Sequence, residues 1–220
     1  MNAAHSVRGH DVMRHQRRVA SSHYAPVVAR ARLELCSVAE NSCVRGSHLA
    51  ALLAWTDTAR RVDAGLEIEF AHRPTALWVS EVLGVGGDVI VRWDAGADVV
   101  QIRNPQTVLG RYGYRDGRWL FGSGLESWLG IARGAVHASG VFDRYGLRVD
   151  CPTEGMKLTV TGLFGRLGIA AEPASGQPCA LIRHNDVRDA LARLGIAGAA
   201  SMYRSARATH TTVNGKASRS

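Results

Sequence analysis

The chain has 220 residues, 46% of them hydrophobic and 21% charged, which suits a globular protein with a core of its own. It has no apolar run long enough to span a bilayer and no signal-peptide stretch at its polar N-terminus, so no transmembrane helix is expected and a cytoplasmic protein is implied. The net charge is +8, and the four cysteines (Cys36, Cys43, Cys151, Cys179) have the spacing of neither a zinc site nor a disulfide framework.

In chain order, residues 1–25 lack periodicity and read as a mobile basic arm. Val27, Val28, Ala31, Leu35 and Val38 predict a helix over Pro26–Glu40. Ser42–Ser47 reads as a loop with Ser47 as N-cap of a helix over His48–Arg60. The strict alternation of Leu66–Phe70 is that of a half-buried strand. Pro74 opens a helix over Thr75–Leu83, closed by Gly84. Asp88–Trp93 and Asp98–Arg103 are two strands joined by a hairpin loop at residues 94–97. A short helix is expected near Gln106–Gly110, and residues 111–127 form a connection rich in glycine, arginine and aromatics.

The second half repeats the order: a helix over Ser127–Ser139, stopped by Gly140, a strand over Gly146–Cys151, and a helix over Thr153–Leu167 ended by Gly168. A strand over Cys179–His184 and a helix over Asp186–Leu194, with Asn185 as its N-cap, complete it. The tail 204–220 is polar and unpatterned and reads as a basic disordered segment. The resulting division is an arm (1–25), a first half (26–110), the connection (111–127), a second half (128–203) and the tail (204–220).

The charge is uneven. Residues 1–48 carry seven arginines against Asp11, Glu34 and Glu40, a net +4, and residues 203–220 carry Arg204, Arg207, Lys216 and Arg219 with no acid, another +4. The body between them is neutral. Basic arms on a neutral body suit a polyanion, since each neutralised phosphate releases a counterion.

Within Trp128–Phe142 small residues recur at helical spacing, so a second helix can approach at backbone distance; Ala50, Leu53, Gly134, His137 and Gly140 are the candidates for such a helix-helix interface. LAGLIDADG homing endonucleases use this pattern. The segments Leu49-Ala-Ala-Leu-Leu53, Ile131-Ala-Arg-Gly-Ala-Val-His-Ala-Ser-Gly-Val-Phe142, Leu167-Gly-Ile-Ala170, Ala180-Leu-Ile-Arg-His184 and Ala190-Leu-Ala-Arg-Leu-Gly195 resemble the WhiA family of bacterial regulators, whose degenerate LAGLIDADG-type domain precedes a helix-turn-helix domain. The resemblance covers roughly residues 30–207, without the helix-turn-helix domain. It implies an α+β, pseudo-two-fold LAGLIDADG homing-endonuclease-like fold of two helix-strand-strand-helix-strand-strand halves. It also implies transcriptional control linked to sporulation or cell division.

A nuclease of this type needs an acid at the end of each core helix to hold a divalent cation. Alignment to the motif places Ala54 and Thr56 there in the first helix, and His137 and Ser139 in the second. Asp57 and Asp143 stand out of register, as a helix-end charge and a turn residue. No enzymatic activity, metal or cofactor is therefore expected. Gly84-Val-Gly-Gly87 lacks the Lys-Ser/Thr of a phosphate loop and reads as a tight turn.

The expected function is a non-enzymatic DNA-binding regulator that meets duplex DNA mainly through phosphates. Arg92, Arg103, Arg148 and Arg183 would project from the strands, and Arg14, Arg17, Arg18, Arg204 and Arg207 from the arms. The alternative is a protein-interaction module that modulates a full-length WhiA or another regulator.

Overall fold

The computed structural model describes residues 23–63, 65–84, 86–93 and 96–217. Helix α1 spans 23–37. The first half then runs α2 (Ser42–Trp55), β1 (Arg60–Val62), β2 (Gly65–Phe70), α3 (Arg73–Leu83), β3 (Val89–Trp93), β4 (Asp98–Arg103) and α4 (Pro105–Leu109). A 3-10 turn (Gly110–Tyr112) and a small hairpin, β5 (Tyr114–Arg115) and β6 (Arg118–Trp119), lead into the second half. That half runs α5 (Leu125–Ser139), β7 (Gly140–Asp143), β8 (Gly146–Asp150), α6 (Glu154–Arg166), β9 (Glu172–Pro173), β10 (Cys179–Arg183) and α7 (Val187–Arg193), followed by α8 (Ala197–Ala217).

Each half contributes one antiparallel four-stranded sheet, ordered β1-β2-β4-β3 in the first and β7-β8-β10-β9 in the second. Numbered within its own half, each sheet has the order 1-2-4-3. This shared topology establishes the internal two-fold repeat that low sequence similarity hides.

The two halves meet along α2 and α5. Glycine makes this possible: a Cβ on Gly130 would lie 2.4 Å from the Val44 carbonyl oxygen, and one on Gly134 would lie 2.4 Å from that of His48 and 2.6 Å from Ala51 Cβ. The helices thus touch at backbone distance. On either side lies a separate core. Leu49, Leu52, Ile68, Val79, Val100 and Ile102 fill the first, and Phe142, Leu147, Phe164, Ile182 and Leu191 fill the second.

Several boundaries differ from those read in the sequence. Helix α2 begins at Ser42, where a loop was expected, because the Asn41 side chain accepts a hydrogen bond from the Val44 amide at 2.9 Å; Ser47 is interior to the helix. It ends at Trp55, and Arg60–Val62 is a strand paired with β2. Gly140 begins strand β7 directly, with Asp143 accepting from the Tyr145 and Gly146 amides in the turn that follows. The cap position of α7 is Asp186 rather than Asn185, and its side chain makes no capping bond.

The ends of the chain also differ. Residues 23–25, placed in the mobile arm by sequence, open α1. The tail expected to be disordered from residue 204 is helical through Ala217. Two contacts explain why: Ala199 and Tyr203 are buried in the second core, and Glu34 Oε2 of α1 accepts from the Gly198 and Ala199 amides at the start of α8. A carboxylate at that position satisfies otherwise orphaned amides and faces the positive end of the helix. Among the described residues no helix is long and apolar enough to cross a membrane.

Candidate nucleic-acid interface

The outer face of each sheet follows from strand alternation. In the first sheet Leu66, Ile68, Val100 and Ile102 point into the core, which leaves Glu67, Glu69, Gln101 and Arg103 on the opposite face, with Arg60 and Arg92 across the ladder. In the second, Leu147, Val149, Ala180 and Ile182 point inward, and Asp143, Arg148, Asp150, Glu172 and Arg183 outward.

These faces are neutral. Five arginines (Arg60, Arg92, Arg103, Arg148, Arg183) stand among five acids (Glu67, Glu69, Asp143, Asp150, Glu172). Most of them are paired within their own sheet. Arg92 donates to Glu67 at 2.7 Å, Arg60 pairs with Glu69 and lies 3.7 Å from Glu67, Arg148 donates to Asp150 at 2.9 Å, and Arg183 makes a bidentate pair with Glu172 at 3.0 Å per bond. The Glu172 carboxylate holds the Arg183 guanidinium above its ordinary pKa.

Of the four strand arginines singled out by sequence, Arg103 alone has no described ion pair. Arg204 is exposed and Arg207 half-buried on α8; Arg14, Arg17 and Arg18 lie outside the described residues. Sequence reading missed a second basic group. Arg61 of β1 lies over the turn of the β5–β6 hairpin, where a Cβ on Gly117 would meet its guanidinium, and Arg115 and Arg118 flank that turn. None of these three has a described ion pair. The signal was the arginine doublet at 60–61, hidden because β1 was read as the end of a helix.

None of the four positions aligned with the acids of a LAGLIDADG nuclease is acidic: Ala54 and His137 stand at two of them, and the other two hold hydroxyls turned back on the backbone. Thr56 Oγ1 donates to the Leu52 carbonyl at 2.7 Å, and Ser139 Oγ lies 3.0 Å from the Ala135 carbonyl and 2.7 Å from that of Asp150. Both point four residues back along their own helix. Among the described residues no group of three or more His, Cys, Asp or Glu is placed to hold a metal ion.

Of the five expected interface residues, Gly134 and His137 lie against α2. The α2 side of the contact is formed by Val44, Ser47, His48 and Ala51, while Leu53 belongs to the first core and Ala50 is buried. Gly140 is a correction: a Cβ there would meet the Val136 carbonyl of its own helix, because the chain turns straight into β7. Gly84, Gly86 and Gly87 sit at the carbonyl end of α3 beside Asp88, with Arg111 donating to the Leu83 carbonyl at 2.9 Å, so the segment is a turn at a helix C-terminus and not the amide-lined start of a helix that a phosphate loop uses.

The interface also encloses a line of polar groups. His72 Nδ1 lies 2.9 Å from Thr75 Oγ1, which lies 2.8 Å from His137 Nε2; His137 Nδ1 lies 3.0 Å from His48 Nε2, and His48 Nδ1 lies 2.9 Å from Glu40 Oε1. Arg133 donates to the same Glu40 oxygen at 2.9 Å and to the Leu194 carbonyl at 2.9 Å. Burial drives His48 and His137 below their ordinary pKa, His137 furthest, and burial also lowers the less enclosed His72. Burial pushes Glu40 up, but the hydrogen bonds from His48 and Arg133 and the charge of Arg133 outweigh it and hold the carboxyl below its ordinary value. Cys36 Sγ lies 3.7 Å from His137 Nε2, and burial pushes its thiol up to about 11.

With the two-fold sheets and the glycine-mediated helix pair established, comparison with solved structures is decisive for the fold. The chain resembles full-length DUF199/WhiA from Thermatoga maritima with a TM-score of 0.57 and 12% identity over 87% of this chain and 72% of that one. The N-terminal LAGLIDADG domain of DUF199/WhiA gives 0.51 with 13% identity, over 78% and 89% of the two chains. The fold is that of WhiA.

The homing endonuclease I-DmoI, in its complex with DNA and Mn, matches with a TM-score of 0.50 and 10% identity over 70% of this chain and 97% of its own. No protein-family model and no curated protein sequence matches the chain. At these identities the likeness to WhiA and I-DmoI is one of architecture.

Proposed function

We propose that this chain is a nuclease-inactive LAGLIDADG-type scaffold that associates with DNA as a cytoplasmic, WhiA-like transcriptional regulator of cell division or sporulation. The observation that carries the reading is the pair of hydroxyls, Thr56 and Ser139, bonded to backbone carbonyls where cleavage requires metal-binding acids. A hydroxyl committed to a backbone carbonyl offers a hard divalent cation little, whereas a carboxylate neutralises and orients it. The I-DmoI complex supports the DNA half of the reading, since the same architecture there carries DNA.

The neutral sheets supply little net attraction. Phosphate contacts therefore come from Arg103, from the Arg61, Arg115 and Arg118 group, and from the basic ends of the chain. Such contacts position DNA without reading its sequence. Incubation of the purified chain with supercoiled plasmid and magnesium or manganese is expected to retard the plasmid without nicking it. Nicking abolished by Asp57→Ala would overturn the inactive assignment, and failure to retard DNA at low salt would overturn the binding one.

The charge balance of the sheet faces favours one second reading, a module that docks a full-length WhiA or another regulator instead of DNA. Removal of residues 1–22 and 209–220 separates the two: DNA retention collapses under the first reading, and partner capture survives under the second.

A further inference from the structure

Between α7 and α8 lies an open cleft of about 620 Å³, within the range of about 300–1,000 Å³ common for small-ligand sites. Its origin is legible in the residues. The face of α8 turned to α7 carries Ala197, Ala200 and Ser201, too small to fill the space between the helices, and then Arg204 and Arg207 one turn further on. Arg188 of α7 completes the lining cations, and Asn185 and His184 close the end beside β10.

Among the described residues no carboxylate lines the cleft; Asp186 and Asp189 of the same segment lie outside its wall. This is the reverse of the sheet faces, where acids neutralise nearly every arginine. Tyr203 lies beneath the floor with its hydroxyl on the Asp143 carbonyl at 3.0 Å and its ring packed against Tyr24 and Phe142, so the small side chains form the surface open to a ligand. A cationic rim over an alanine floor matches a ligand with a phosphoryl group at one end and a less polar body at the other.

We propose that this cleft binds a small phosphorylated ligand, with Arg188 and Arg204 on the phosphoryl group and its less polar body over Ala192 and Ala197. A duplex meets a surface as a broad convex rod and would leave such a floor empty. The site is separate from the sheet faces; Arg204 also belongs to the basic C-terminal end proposed to meet DNA, whereas Arg188 does not, so Arg188→Ala tests the cleft apart from DNA contact.

Calorimetric titration of the full chain with ATP, and separately with inorganic pyrophosphate, tests the proposal. Saturable binding of ATP, tighter than pyrophosphate, is expected, and Arg188→Ala or Arg204→Ala weakens it by about tenfold or more, the worth of one charge-assisted hydrogen bond. Arg45→Ala removes the same charge from an exposed site on α2 and leaves binding unchanged, and thermal unfolding verifies that each variant folds. Absence of saturable binding, or equal weakening by Arg45→Ala, overturns the site. Equal affinity for ATP and pyrophosphate overturns the part assigned to the alanine floor. Duplex DNA binding that the two cleft variants weaken, with no competition from ATP, would make the cleft a nucleic-acid contact instead.

Discussion

His48 and His137, one from each half of the molecule, meet Nε2 to Nδ1 at 3.0 Å in the middle of the α2–α5 contact. The surrounding bonds fix where the protons sit. Glu40 can only accept, so His48 donates to it from Nδ1 and presents a bare Nε2. His137 therefore donates from Nδ1, accepts the Thr75 hydroxyl at Nε2, and leaves Thr75 to accept from His72. The protons point one way along the line, from the half-buried His72 to Glu40, and both buried imidazoles are neutral. With His48 neutral, the charge that balances the Glu40 carboxylate is that of Arg133.

Acid should loosen the helix pair. The folded pKa values of His48, His137 and His72 lie below the ordinary 6.5, so the unfolded chain takes up protons that the folded one refuses. Their stability contribution is complete above about pH 6.5 and is lost as pH falls from there towards the folded values; Glu40, held below 4.5, adds a further loss at lower pH. Urea midpoints measured between about pH 8 and pH 5 should fall continuously on the acid side. A flat profile would mean that the imidazoles are not buried and neutral.

Glu40→Ala should be among the most damaging single changes in this region. The Glu40 and Arg133 side chains are 1% and 7% exposed, so removal of the acid strands a buried guanidinium and leaves His48 Nδ1 without an acceptor. The expected loss is about 3–5 kcal/mol by denaturant unfolding. A loss within the range of ordinary surface substitutions would show that water reaches this pair.

Two glycine-to-alanine changes should have opposite signs. Gly134→Ala puts a methyl 2.4–2.7 Å from backbone and Cβ atoms of α2, so the helices must separate, at a cost of about 1–3 kcal/mol. Gly162→Ala, in the exposed interior of α6 with nothing within 4 Å, should stabilise by about 0.5–1 kcal/mol. Chemical denaturation of the pair provides an internal control, and equal effects would contradict the close helix contact.

What the sequence revealed depended on range. Period-3.6 and period-2 patterns located α1, α2, α3, α5, α6 and α7 and strands β2, β3, β4, β8 and β10, and the small residues of Trp128–Phe142 pointed to the helix pair. Elements held by distant partners were not legible. Strand β1 is three residues long and defined by pairing to β2, β7 starts without an intervening turn, and α8 is fixed by Glu34, more than 160 residues away in sequence. The same limit applied to the candidate interface. Arg92 and Arg183 read as available cations because Glu67 and Glu172 become their partners only across the sheet. His48, Glu40 and His72 showed no pattern at all, since their relation to His137 is made by helix packing.

The charge lattice of the first sheet makes a specific prediction. Glu67 accepts from Arg92 and lies within 4 Å of Arg60, so Glu67→Gln keeps a hydrogen-bond acceptor while freeing positive charge on the outer face. DNA affinity should rise, and the dependence of log affinity on log salt should steepen by about one phosphate equivalent. An unchanged affinity would place the DNA away from this sheet.

The central claim, a scaffold that meets DNA through phosphates, is tested most directly by the affinity of the unmodified chain for duplex DNA measured across a range of salt concentrations. The account predicts measurable binding at low salt, indifferent to sequence, with log affinity falling linearly as log salt rises. Absence of binding at low salt, or an affinity that does not respond to salt, would contradict it.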